Sequence, residues 1–171
     1  MTIRARKLLV LVLLSVLCIG CDRATKRVAT EELKDMETVS LVGGTVRLQY
    51  AENTGAFLGL AGDLPPAARM WILNVGTGVL LAALMVYLVR RYDLSWQRFV
   101  PLCLVLAGGV GNLIDRVAAG YVVDFVSIGV GPLRTGIFNV ADVAITVGAV
   151  WLFVTSWRRD PESASGAPSA S

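Results

Sequence analysis

Four apolar stretches of near-membrane length, at residues 8–26, 70–89, 99–114 and 137–157, constrain this chain more than anything else in it. Inside a bilayer no water satisfies backbone N–H and C=O groups, so an apolar stretch must close its hydrogen bonds within itself or within a sealed barrel. The 20 residues of 70–89 make a helix about 30 Å long, enough to cross the hydrocarbon core. We therefore expect an all-α membrane protein with four transmembrane helices. Composition agrees: 55% of the residues are hydrophobic and 17% charged, against about 25% charged in soluble domains. The net charge of +3 does not point to nucleic acid, because basic residues flanking membrane segments account for it.

The absence of histidine excludes Ser-His and Cys-His nucleophiles and most zinc sites. Neither a metal nor a cofactor is expected. Cys18 and Cys21 stand in C-x-x-C spacing without a second pair to complete a metal site, and read as small apolar residues of the first span. The start of the chain, with Arg4, Arg6 and Lys7 before an apolar run ending in CIGC, is also similar to a lipoprotein signal sequence. The expected reading is an uncleaved first helix, because Cys18 occupies a position that usually holds Leu and three more membrane-length segments follow.

The sizeable extramembrane region lies between spans one and two. Residues 31–37 read as a short surface helix or loop. Residues 39–42 and 45–50 flank Gly43-Gly44, a hairpin signal, with Val46, Leu48 and Tyr50 alternating with polar residues. Residues 1–159 form one expected membrane domain. The Ser/Ala/Pro/Gly-rich tail, 160–171, cannot bury a core and is expected to be disordered. Four spans put both termini on one side. That side gathers Arg4, Arg6, Lys7, Arg90, Arg91, Arg98, Arg158 and Arg159, which makes it cytoplasmic.

Polar chemistry concentrates between Gly108 and Asp142. Asp115, Asp124 and Asp142, with Asn112, Asn139 and Arg116, lie at or near span ends beside apolar runs, where charged groups tend to be paired or functional. Asp124 falls in a β-like YVVDFV segment. Asn139 and Asp142 are read as lying in the first two turns of span four, on one helical face. Two adjacent carboxylates share a proton, so one can activate water while the other polarises a carbonyl. Alternatively, Asp124 or Asp142 caps a helix or pairs with Arg116. A small proton- or cation-coupled transporter would use the same carboxylates, but would place them near midspan. Asp115 is expected to be structural, and Gly108, Gly109 and Gly111 to serve packing or substrate access. Arg134, in the GVGPLRTG loop, is expected to be solvated and to matter less than Arg116.

Five ordered blocks resemble one family. They are Asp22-Arg23-Ala24-Thr25-Lys26, Glu52-Asn53-Thr54-Gly55-Ala56, Gly111-Asn112-Leu113-Ile114-Asp115-Arg116, Gly120-Tyr121-Val122-Val123-Asp124-Phe125 and Phe138-Asn139-Val140-Ala141-Asp142. Over about residues 7–158 the chain is similar to lipoprotein signal peptidase, or signal peptidase II. The resemblance implies a four-helix aspartic peptidase of bacterial inner membranes that removes the signal peptide from diacylglyceryl-modified prolipoproteins. It implies Asp124 and Asp142 as catalytic dyad. Asn53, Gly55, Asn112, Arg116 and Asn139 would line or orient the site, and Asp22, Lys26 and Asp115 would support it. Residues 39–57 would form the family's β-cradle at the outer membrane surface, and the inhibitor globomycin would bind. The implied partners are prolipoproteins and membrane lipids, with no nucleic acid and a monomeric enzyme. Phe57 and Ala107 depart from the family pattern, at positions that touch substrate fit rather than the carboxylates.

If Cys18 and Cys21 are merely apolar helix residues, Cys18→Ala combined with Cys21→Ala retains activity and membrane anchoring. Mass spectrometry should then find an amino terminus at or near Met1. A diacylated amino-terminal Cys21 would overturn that reading.

Overall fold

The computed structural model describes residues 1–55 and 65–157. Helix α1 spans Ile3–Leu33, followed by strands β1 (Val39–Leu41) and β2 (Val46–Asn53). Helix α2 (Pro66–Trp71) passes through a π-helical turn, Ile72–Gly76, into α3 (Thr77–Arg90). Helix α4 (Trp96–Ala119), strands β3 (Val122–Val130) and β4 (Leu133–Arg134) and helix α5 (Val140–Trp157) complete the fold. The tail at 160–171, together with Ala56 and Phe57, lies outside the described residues.

Among the described residues three helices, α1, α4 and α5, are long and apolar enough to cross a membrane. Their outward faces carry exposed apolar side chains, among them Val12, Leu13, Val16 and Leu17 on α1 and Val147, Val150 and Phe153 on α5. In water this would be unfavourable; against lipid tails it is the expected surface. The second expected span is not one regular helix. A π turn divides it, around Asn74 and Gly76, two residues of weak helix propensity. The segment expected as a separate surface element, 31–37, instead begins as the end of α1, whose 31 residues extend about 46 Å. Neither Gly nor Pro interrupts α1 after Gly20, and Lys26–Asp22 and Arg27–Glu31 pairs at i,i+4 spacing support it.

The helices pack closely where side chains are absent. A Cβ on Gly108 would stand 2.4 Å from the Ala141 carbonyl oxygen and one on Gly148 2.6 Å from that of Pro101, so α4 and α5 meet backbone to backbone. Of the two readings left open for Gly108, packing is what the structure shows. At the end of α4 carrying its N-terminus, Leu11, Leu88, Leu94, Phe99, Cys103 and Leu106 form an apolar cluster. Lys7 is buried beside it. Its ammonium donates to the carbonyls of Tyr92 and Leu94 and lies 5.5 Å from the Trp96 ring centroid and 5.2 Å from that of Phe99.

The sheet is larger than the single hairpin expected. Its four antiparallel strands run in the order β1-β2-β3-β4. Arg134 is half-buried rather than solvated. Its guanidinium donates to the carbonyls of Gly44, Thr45, Ser127 and Gly129 at 2.8–3.3 Å, joining the β1–β2 turn to β3. A carbonyl oxygen has two lone pairs, so even one already used by the backbone, such as that of Thr45 with the Gly129 amide, can accept again from a five-donor guanidinium. A loop composition of Gly and Pro gave no hint of this.

Gly108→Val should separate α4 from α5 and lower stability by about 1–3 kcal/mol, the usual cost of overpacking; thermal unfolding in detergent measures it. Arg134→Ala should also lower the melting temperature and loosen the sheet by hydrogen exchange, while the fraction that remains folded keeps its turnover. An unchanged melting temperature would show that the carbonyl contacts contribute nothing.

Candidate active site

Two chain segments bring the polar residues together, and β3 is common to both. On one side β3 pairs with β2 in the register Leu48↔Val126 and Ala51↔Asp124. Three steps along β2 match two along β3, so β2 carries a bulge immediately before Ala51. Bulges re-aim neighbouring side chains, and this one sits beside Asp124. On the other side β3 bridges to Phe138. The Phe125 and Val126 amides both donate to the Phe138 carbonyl, and the Phe138 amide donates back to Val126 at 2.8 Å. The chain therefore returns against β3 just before α5 begins, which sets Asn139 beside Asp124.

Asn139 and Asp142 do not lie together inside the helix as expected. Asn139 precedes α5 and caps it. Its side-chain oxygen accepts the Asp142 amide at 2.9 Å, and the Asp142 carboxylate accepts the Asn139 amide at 3.1 Å. This reciprocal pair is a capping box with Asn and Asp in place of the usual Ser or Thr and Glu. It satisfies two N–H groups that a helix start leaves open, and it immobilises the Asp142 carboxylate. Asp22 of α1 satisfies another, accepting the Ala141 amide at 2.9 Å. Gly111 makes room for this contact, since a Cβ there would lie 3.2 Å from the Asp22 carboxylate.

Asparagine side chains join the two carboxylates. Asn139 Nδ2 donates to Asp124 at 2.6 Å and to Asn112 Oδ1 at 3.2 Å. Asn112 Nδ2 donates to Asp142 at 2.8 Å. Asn53 Nδ2 donates to the second oxygen of Asp124 at 3.0 Å, and Asn53 is itself held by the Gly55 amide, at a backbone φ of +92° that favours glycine. Asp124, Asn112 and Asn139 are all buried, Asp124 to 3% exposure. Burial pushes the Asp124 carboxyl above the usual carboxylate range; the Asn53 amide opposes this, and the nearby Asp142 charge adds to it.

Behind Asn112 lies the supporting group. Lys26 donates to Asp22, to Asn112 and to Asp115, and Arg23 also pairs with Asp115, at 3.0 Å. Asp115 thus pairs with two bases, one of the two settings open to it in the sequence reading. Arg23 lies within the first matching block, but nothing in sequence pattern marked it as the second partner. Arg116 lines a cavity of about 390 Å³ with Thr77, Asn112, Asp142 and Ile145, and its buried Nε has no hydrogen-bond partner among the described residues. The expected sharing of a face by Asn112 and Arg116 therefore holds. Among the described residues no cluster of three or more His, Cys, Asp and Glu side chains is arranged to hold a metal. Neither Asp124, in the sheet, nor Asp142, in the first turn of α5, lies at midspan, where a transporter would use them.

Comparison with known proteins agrees with this geometry. The family model described as signal peptidase (SPase) II matches residues 14–158. The lipoprotein signal peptidase of Chlorobium phaeobacteroides (strain DSM 266 / SMG 266 / 2430) is 39% identical over 149 residues, covering 82% of this chain and 86% of that protein. The lipoprotein signal peptidase of Streptococcus thermophilus (strain CNRZ 1066) is 31% identical over 142 residues, covering 83% and 88%. A solved bacterial membrane enzyme determined by the in meso method at 1.9 Å aligns with a TM-score of 0.76 at 26% identity, covering 88% of this chain and 94% of the other. A family match across most of the chain, joined to membrane helices and a buried cluster of carboxylates and asparagines, makes this protein a membrane peptidase that belongs to the signal peptidase II family.

Proposed function

We propose that the protein is an aspartic endopeptidase that removes the signal peptide from diacylglyceryl-modified prolipoproteins, with Asp124 and Asp142 as its catalytic dyad. The observation that carries this reading is the pair of asparagines joining two carboxylates from separate elements, β3 and α5. One of the two must polarise the scissile carbonyl in its protonated form. Burial favours the proton on Asp124. Asp142, held by its cap, then takes the proton from the attacking water and later delivers one to the leaving amine. Because the carboxylates are coupled, the pH profile reports the pair and not either residue alone.

Asn53, Gly55, Asn112, Arg116 and Asn139 orient the dyad or the substrate backbone, and Arg116 has donor capacity left for a carbonyl in the adjoining cavity. Asp22, Lys26 and Asp115 support them. In this reading the helical segment from α2 through α3 is a fourth span, residues 1–159 act as one domain and one monomer, and both termini are cytoplasmic. The basic flanks Arg4, Arg6, Arg90, Arg91 and Arg98 support that orientation. The dyad then lies near the outer face, beside the sheet. A diacylated substrate is held in the bilayer by about 0.8 kcal/mol per buried CH₂, so its scissile bond lies near the headgroups, within reach of water and the dyad.

Incubating the purified enzyme in detergent with a diacylglyceryl-modified prolipoprotein should yield a shorter product on a gel, and globomycin should prevent it. Asp124→Asn and Asp142→Asn should each lose at least about 10²–10⁴-fold in rate while remaining in the membrane. Arg116→Ala should slow turnover at an unchanged melting temperature, the opposite pattern to Arg134→Ala. Near-wild-type turnover by either aspartate variant would sink the dyad.

A further inference from the structure

Lys26 has a role that its ion pairs alone do not explain. The side chain is buried to 4% exposure, and its ammonium spends its three N–H groups on Asp22 at 2.7 Å, Asp115 at 2.6 Å and Asn112 Oδ1 at 2.9 Å. Two carboxylates are more than enough to neutralise one cation. The third contact is to a neutral amide, and it leads into the site. An ammonium only donates, so it can face only the oxygen of Asn112, which turns the amide nitrogen toward Asp142. Asn139 also donates to that oxygen, but from 3.2 Å and without charge, so the charge-assisted contact dominates. Asn139 is set from its other end, because its oxygen accepts the Asp142 backbone amide and its nitrogen is left for Asp124. Every hydrogen bond in the chain therefore runs one way, with N–H aimed at each carboxylate.

Building on the dyad proposed above, we propose that Lys26 is a positioning residue for catalysis: it locks the Asn112 amide in the one orientation that presents N–H to Asp142. Without Lys26, only the uncharged Asn139 contact at 3.2 Å holds the Asn112 oxygen, so the amide turns over more readily. Asp142 then faces an oxygen in place of its N–H donor, and the carboxylate that must meet the attacking water loses its fixed orientation. The charged groups surrounding this pair are Asp22 and Arg23 from α1, Asp115 and Arg116 from α4, and Asp124 from β3; all remain in the variants below.

The test is steady-state cleavage of a synthetic signal peptide bearing a diacylglyceryl-cysteine, by the full chain in detergent. Lys26→Met should lower kcat about 10- to 100-fold with KM changed less than about threefold. Lys26→Arg, which still only donates, should recover part of kcat. Asn112→Ala removes the amide itself, so Lys26→Met, or Lys26→Arg if Lys26→Met fails to accumulate, should cost little further kcat on that background. A folded Lys26→Met with wild-type kcat, or a Lys26 variant whose loss is as large on the Asn112→Ala background as on the wild type, overturns the proposal. Active Asp124→Asn or Asp142→Asn would instead remove the dyad itself, whereas inert aspartate variants beside a normal Lys26→Met remove only the role given to Lys26.

Discussion

A carboxylate withdrawn from water must have its oxygens met by donors, or the cost of burying it exceeds what packing returns. The polar centre of this protein is arranged around that requirement. Asp22 receives a backbone amide of α5 and the Lys26 ammonium, Asp124 receives two asparagine amides, and Asp142 receives Asn112 and the amide of its own cap. Several of these donors come from distant parts of the chain, so meeting the requirement pins α1, α4, α5 and the sheet to one another.

The apolar parts follow a different rule. Lipid tails offer no hydrophobic drive for helices to associate, so α4 and α5 gain contact through small residues, at Gly108 and Gly148. Many large apolar side chains, such as Val147, Val150 and Phe153 of α5, are left for the lipid-facing surface. Close backbone approach brings the start of α5 against α4, near enough for Asn112 to reach Asp142 and, through Asp22, for α1 to hold the Ala141 amide. Packing by small residues and polar satisfaction are thus two halves of one placement.

Three of the expected spans were legible because a bilayer permits few ways to close backbone hydrogen bonds, and the hairpin of 39–42 and 45–50 because Gly43-Gly44 divides two strand-like runs. Less legible were features that depend on what a side chain meets far away in sequence. Arg134 read as solvated because its loop is rich in Gly and Pro, yet it gathers the Gly44 and Thr45 carbonyls of a turn 90 and 89 residues away in sequence. The π turn at 72–76 and the continuation of α1 to Leu33 were missed for a simpler reason: helix ends and irregular turns balance on small local differences.

Residue order alone pointed to a membrane, excluded histidine chemistry, singled out a set of carboxylates and amides, and, through five ordered blocks, gave the family the chain resembles. Those conclusions rest on composition and pattern, which survive without coordinates. Tertiary structure decided how the carboxylates are held. That Asn139 is a cap and not a helical neighbour of Asp142, that β3 is clasped between β2 and Phe138, and that Lys26 reaches Asn112 across 86 residues are matters of direction and distance. Hydrogen bonds act over about 3 Å and only along their donor axes, and no spacing along a chain encodes either.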